Sequence, residues 1–131
     1  MLSFGTLQFT DPHALALDVL PATAGLFVIL VPNYEYRPDP YEPIYFGESG
    51  NLRAAVGTHH ASYNRWRWHP RGRGGLFVSW LPMPYSTGDW RRYNEDQLVK
   101  QYNPACNREE YADAQTQALR EIGARKFGAG D

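Results

Sequence analysis

Two groups of residues in this chain have the types and spacing to do chemistry. The first is basic. Between Glu48 and Asp89 there is no acidic residue, while Arg53, Arg65, Arg67, Arg71, Arg73 and three histidines fall inside the window. The chain holds 13 Lys+Arg against 14 Asp+Glu, so this +5 stretch leaves the remainder at −6 behind a formal net charge of −1. From Arg65 to Arg73 the cations alternate with Trp66 and Trp68. Guanidinium groups grip phosphates bidentately and aromatic faces stack on bases, so Arg53, Arg65, Arg67, Arg71, Arg73, Trp66 and Trp68 form a candidate nucleic-acid contact surface. The alternative is a solvated Arg/Gly-rich loop whose tryptophans pack inward. The second group centres on Glu95. It shares a helical face with Leu98, Val99 and Tyr102, and a carboxylate on an apolar stripe is out of place in a purely structural helix.

These residues need elements to hold them. Residues 25–31, Gly-Leu-Phe-Val-Ile-Leu-Val, are short, apolar and β-branched, which predicts a buried strand. Pro32 to Pro43 holds four prolines with Tyr34, Tyr36 and Tyr41, and reads as a long loop. A second strand is expected over 44–47 and a third over 75–81. Gly50 or Asn51 can cap a helix from Leu52 to about His60, which would place Leu52, Ala55, Val56 and His59 on one face. Ser86 is the expected cap of a helix over 87–102, and Pro104 its stop. A more polar final helix is expected over 109–126. Near the N-terminus, residues 4–9 alternate weakly as a short strand, and Asp11-Pro12 opens a helical turn through Leu15, Asp18 and Val19.

At 131 residues the chain reads as one domain, 1–131, long enough for a sizeable core. The apolar share is 43 %, which argues against wholesale disorder. A lone cysteine, Cys106, excludes an intramolecular disulfide framework and a Cys-rich zinc site. The N-terminus lacks a signal-peptide pattern, and no apolar run approaches the roughly 20 residues of a membrane helix. The default expectation is a cytoplasmic protein with no membrane association.

The order of strand, strand with Tyr-x-Gly, helix, strand, and helix with an inward Glu resembles the GIY-YIG nuclease superfamily. Its two naming motifs correspond here to Gly25-Leu26-Phe27 and Tyr45-Phe46-Gly47. The polar loop and Asn-Leu step correspond to residues 48–52. The metal-binding Glu, followed by Leu and then Pro-x-x-Asn, corresponds to Glu95, Leu98, Pro104 and Asn107. The resemblance covers residues 24–107 as a nuclease core, with 108–131 as a C-terminal helical extension. It implies an α/β fold with a central three-stranded, mainly antiparallel sheet flanked by helices.

The resemblance also implies a Mg²⁺-dependent (or Mn²⁺-dependent) endonuclease hydrolysing DNA phosphodiesters. Glu95 would be the metal ligand, since one carboxylate plus waters and a substrate phosphate suits Mg²⁺. Tyr45 would position or activate the attacking water, although a phenol near pKa 10 needs help to act as a base. Asn107 would brace the site, and His59 would assist proton transfer or touch phosphate. Ser49 and Asn51 would contact phosphate or cap the helix. The structural alternative for Glu95 is a surface pair with Arg91 or Arg92.

Two departures stand out. The first-motif tyrosine position is Phe27, and the helix arginine that stabilises transition-state charge falls at Ala55. Losing one such donor costs about 10²–10³ in rate. Arg53 lies about 200° around the helix from Ala55 and does not replace it. Three readings remain open: a natural member that binds without cutting, recruitment of another cation such as one from the 65–73 loop, or an engineered Arg→Ala change. Two rivals to the enzyme follow: a non-catalytic nucleic-acid-binding module, or a protein-interaction domain displaying Tyr34, Tyr36, Tyr41, Trp66 and Trp68. Target selection would then come from the basic loop, from homodimer formation, or from a protein partner.

Overall fold

The computed structural model describes residues 1–16, 19–69 and 75–127, with side chains in the last helix described as far as Ile122. The elements in chain order are β1 (Leu2–Phe4), β2 (Leu7–Phe9), β3 (His13–Ala14), β4 (Gly25–Pro32), β5 (Tyr41–Ser49), α1 (Leu52–Ala55), α2 (Tyr63–Trp68), β6 (Phe77–Pro82), α3 (Gly88–Tyr102) and α4 (Ala105–Phe127). The chain is of the α/β type, with antiparallel sheets.

The sheet differs from the expected three strands. It has four, in the order β3-β6-β4-β5, and β1-β2 form a separate two-stranded hairpin. The addition is β3, whose His13 and Ala14 pair with Val78 and Phe77 of β6. The helical turn expected from Asp11 is therefore replaced by an extended bridge, while Asp18 lies outside the described residues. β4 is central, paired antiparallel with β5 and β6. Its side chains alternate between two cores. Phe27, Ile29 and Val31 join Leu52, Val56, Trp66 and Cys106 on one face. Leu26, Val28 and Leu30 join Phe4, Phe9, Phe46 and Leu98 on the other. A strand covered on both faces has to be apolar throughout, which is why 25–31 shows no polar alternation.

β5 begins at Tyr41, earlier than expected, so the loop shrinks to 33–40. Pro43 is tolerated because β5 is an edge strand with a register shift beside it, opposite Ile29 and Leu30. That shift turns Ile44 and Tyr45 into the same core. Both motif glycines answer to close approach. A Cβ at Gly47 would lie 2.3 Å from the Phe27 ring, its register partner across the ladder, and a Cβ at Gly25 would lie 2.3 Å from the Leu81 carbonyl oxygen.

The helices match in existence more than in extent. α1 stops at Ala55 because Val56 turns extended, and α2 forms over 63–68 where a loop was expected. Thr87, not Ser86, caps α3: its hydroxyl accepts from the Trp90 amide at 3.1 Å, while Ser86 donates to the Met83 carbonyl. Asn103, at φ 48°, closes α3. The Pro104 carbonyl then accepts the Arg108 amide, so α4 starts four residues earlier than the sequence predicts. No helix among the described residues is long and apolar enough to cross a membrane.

Candidate functional site

The free edge of β5 gathers the candidate residues. α3 and α4 both pack on this strand, and the 60–66 segment reaches it from the Phe27 face. The Asn107 side chain closes the edge. Its amide oxygen accepts the Phe46 N–H at 2.8 Å and its nitrogen donates to the Phe46 carbonyl at 2.9 Å. One carboxamide thereby satisfies both outward backbone groups of a buried edge residue, as a neighbouring strand would. The role of Asn107 in this geometry is bracing.

Tyr45 stands one residue before that brace and is 5 % exposed. Its ring meets those of Trp66 at 5.2 Å, His60 at 5.7 Å and Phe27 at 6.0 Å. Burial pushes its phenol well above the ordinary value. The charge of Glu110, then a hydrogen bond to it, add to the rise; a hydrogen bond with Ser62 opposes it, and the more distant charge of Glu95 adds slightly. Tyr45 is therefore a neutral phenol at any physiological pH.

Glu95 lies on α3, which packs on β5. Burial raises its carboxyl to about 7, reinforced by the negative charges of Glu48, Asp96 and Glu110 and opposed by Arg92. The surface-pair alternative does not form. Arg91 is 9 % exposed and donates to Glu48 at 2.9 Å and to the Ser86 carbonyl at 2.7 Å, while Arg92 bonds Asp89 at 2.5 Å. Among the described residues no cation closes an ion pair on Glu95. A half-buried carboxylate with acidic neighbours and no counter-ion fits a hard divalent cation such as Mg²⁺. No three His, Cys, Asp or Glu side chains among the described residues converge into a closed metal cage.

His59 does not join this group. Once α1 ends at Ala55, the i, i+7 relation to Leu52 is lost. His59 is exposed, with Nε2 against the Ala54 carbonyl. His60 turns inward instead, with its ring 4.7 Å from that of Trp66. The Ser62 amide donates to His60 Nδ1 at 3.0 Å, so the neutral ring carries its proton on Nε2. Burial lowers the His60 pKa, Glu110 works against that, and His59 adds to it. The Ser62 hydroxyl donates to Glu110 Oε2 at 3.1 Å. His60, Ser62 and Glu110 escaped the sequence reading. Glu110 lies in a polar helix beyond the motifs, and only its i+3 spacing from Asn107 hints that both face β5.

The basic surface is only partly realised. Trp66 is fully buried, a correction to its assignment as a stacking platform; it packs inward because α2 lies against Phe27 and Tyr45. Arg65 is held by Asp113 and lies 4.0 Å from Glu109, so α4 partly neutralises it. Arg53 sends Nε to the Leu20 carbonyl at 2.9 Å, tying down the segment before β4. Arg67 is exposed and lies 5.0 Å over the ring of Trp68, itself 72 % exposed. Arg71 and Arg73 lie outside the described residues. Ala55 is half-buried against the Phe27 core. Asn51 caps α1 through the Ala54 amide at 3.2 Å, and Ser49 bonds the Asn51 backbone, so both cap. Of the tyrosines suggested for display, Tyr34 is 86 % exposed, while Tyr36 and Tyr41 are half-buried.

No protein-family model matches the chain, and no curated protein matches it.

Proposed function

We propose that the chain is a nuclease core of the GIY-YIG type, built to hydrolyse DNA phosphodiester bonds with Mg²⁺ or Mn²⁺ and disarmed at Ala55. The observation that carries this reading is that Tyr45 lies on β5, next to the edge residue that Asn107 braces, and that α3, which bears Glu95, packs on the same strand, with Arg91 and Arg92 both paired to other acids than Glu95. Ionised Glu95 would hold the metal, which supplies Lewis-acid stabilisation of the phosphorane and the departing oxygen. Tyr45, neutral and hydrogen-bonded, orients the attacking water rather than ionising. Glu110 beside it is the acceptor toward which a proton can pass. His60 offers an Nε2–H donor for a phosphate oxygen, and Asn107 keeps the strand edge in place.

The missing charge favours a second reading, a binding module on the same scaffold. Arg53, Arg65, Arg91 and Arg92 are all engaged elsewhere, so none of them stands in for an arginine at position 55. One experiment separates the two. Supercoiled plasmid is incubated with Mg²⁺ and either this chain or its Ala55→Arg variant, each also carrying Glu95→Ala. Nicking by the Arg variant that disappears with Glu95→Ala supports the nuclease. Salt-dependent binding without cutting by either version supports the module.

A further inference from the structure

A cavity of about 370 Å³ opens on the Phe27 side of the sheet, well away from the free edge of β5. Leu15 and Leu76 form its apolar floor, and the Leu15 amide donates to the Leu76 carbonyl at 2.9 Å, so the backbone there is already satisfied. Ala16 and Thr58 line it from exposed positions. Tyr63 and Arg67, one helical turn apart on α2, add an aromatic ring and a cation. Arg67 carries the one charge among the described lining residues, and no acid among the described residues pairs with it. Its guanidinium lies 5.0 Å over the Trp68 ring. That contact uses the face of the group and leaves its in-plane N–H donors for a bidentate acceptor such as phosphate. An apolar floor with few polar groups is the usual design of a small-ligand pocket of this size. Here it fits a flat aromatic ring that carries an anion.

We propose that this cavity takes a single nucleotide whose base has left its stack. The base lies against Leu15, Leu76 and the Tyr63 ring, the hydroxyls of Thr58 and Tyr63 meet its polar edge, and Arg67 holds its phosphate. The inference rests on the nucleic-acid reading above for the source of the nucleotide. It narrows the substrate to DNA with an unpaired or extruded base beside the reacting bond, because a fully stacked duplex offers its backbone and groove edges but no base face. The cavity and Tyr45 share one side of the fold. The Tyr63 ring is 6.3 Å from that of Trp66, which is 5.2 Å from that of Tyr45. A strand whose base is held at Tyr63 therefore passes close to Tyr45.

Deoxyadenosine monophosphate is titrated to about 10 mM into the isotope-labelled whole chain without metal, since one stacked base and one phosphate contact support millimolar affinity. Amide shifts in the NMR spectrum should centre on Leu15, Ala16, Thr58 and Leu76. Arg67→Ala should weaken the affinity about tenfold. Ala16→Trp, at an exposed position, should fill the cavity and abolish the shifts while the rest of the spectrum stays as in the parent. Inorganic phosphate alone should leave the Leu15 and Leu76 amides unmoved. Shifts that phosphate alone reproduces, shifts centred elsewhere on the molecule, or binding that survives both substitutions overturn the proposal. The titration needs neither metal nor cleavage, so it is independent of the plasmid assay. Nucleotide bound here by a chain that nicks no DNA even as Ala55→Arg keeps the pocket and loses the nuclease. Nicking by Ala55→Arg with these amides unmoved keeps the nuclease and overturns the pocket.

Discussion

Glu95 shows how far a single side chain's surroundings set its behaviour. Its pKa is near 7 in the fold and 4.5 as the reference carboxyl, because burial and three acidic neighbours disfavour the charge. An acid that binds its proton more tightly when folded stabilises the fold fully below the unfolded value. That contribution fades as pH climbs through the folded value and is gone above it. Glu95→Gln should therefore be more stable than the parent at pH 8, by about 1–2 kcal/mol once the water still reaching the group is allowed for. The gap should close toward pH 5. Urea melts at the two pH values check this, and an equal gap at both would contradict it. Asn107 gives the opposite kind of residue-scale expectation. Asn107→Ala leaves the Phe46 N–H and C=O without partners at a buried edge, and should cost about 2–4 kcal/mol in the same melts.

Among the elements, the β4–β5 ladder is the least forgiving. Phe27 and Gly47 are register partners, and the ring occupies the space a side chain at 47 would need. Gly47→Ala should therefore destabilise the chain by about 2–3 kcal/mol, an overpacking cost. Phe27→Leu pulls the ring away, so Phe27→Leu/Gly47→Ala should cost less than the two single changes summed. Additivity in denaturant melts would show that the clash is relieved elsewhere. The helices were less legible than the strands. The span from Leu52 to His59 carries a continuous i, i+3, i+4, i+7 pattern, yet α1 ends at Ala55. Amphipathic spacing is necessary for a helix but does not prevent a turn. Here Val56 goes extended to follow the core, which moves the inward histidine from 59 to 60.

At the scale of the molecule, the charge segregation plain in the sequence is reshaped by folding. Arg65 is drawn to α4 and Arg53 to the Leu20 carbonyl, so the arginines of the basic window left for phosphate are Arg67, which is exposed, and Arg71 and Arg73, which lie outside the described residues. If those three meet phosphates, the log of DNA affinity should fall with a slope near −3 in log salt, about 40-fold between 50 and 200 mM. The Arg67→Ala/Arg71→Ala/Arg73→Ala variant should flatten that slope. An unchanged slope would move the contact surface elsewhere. The tyrosine-display alternative loses Trp66, which is a core residue, and keeps Tyr34 and Trp68 as its exposed members.

The central strand, its two neighbours and the long α3 helix were legible in the amino-acid order. Each rests on local rules: apolar runs, prolines, caps and short motifs spaced along one element. The order of residues also marked Glu95 as a carboxylate out of place. Left to the fold were the fourth strand, the burial of Trp66, the inward turn of His60 and the arrival of Glu110 beside Tyr45. These depend on contacts between residues far apart in the chain, and periodicity within a segment carries no information about which distant segment will cover it.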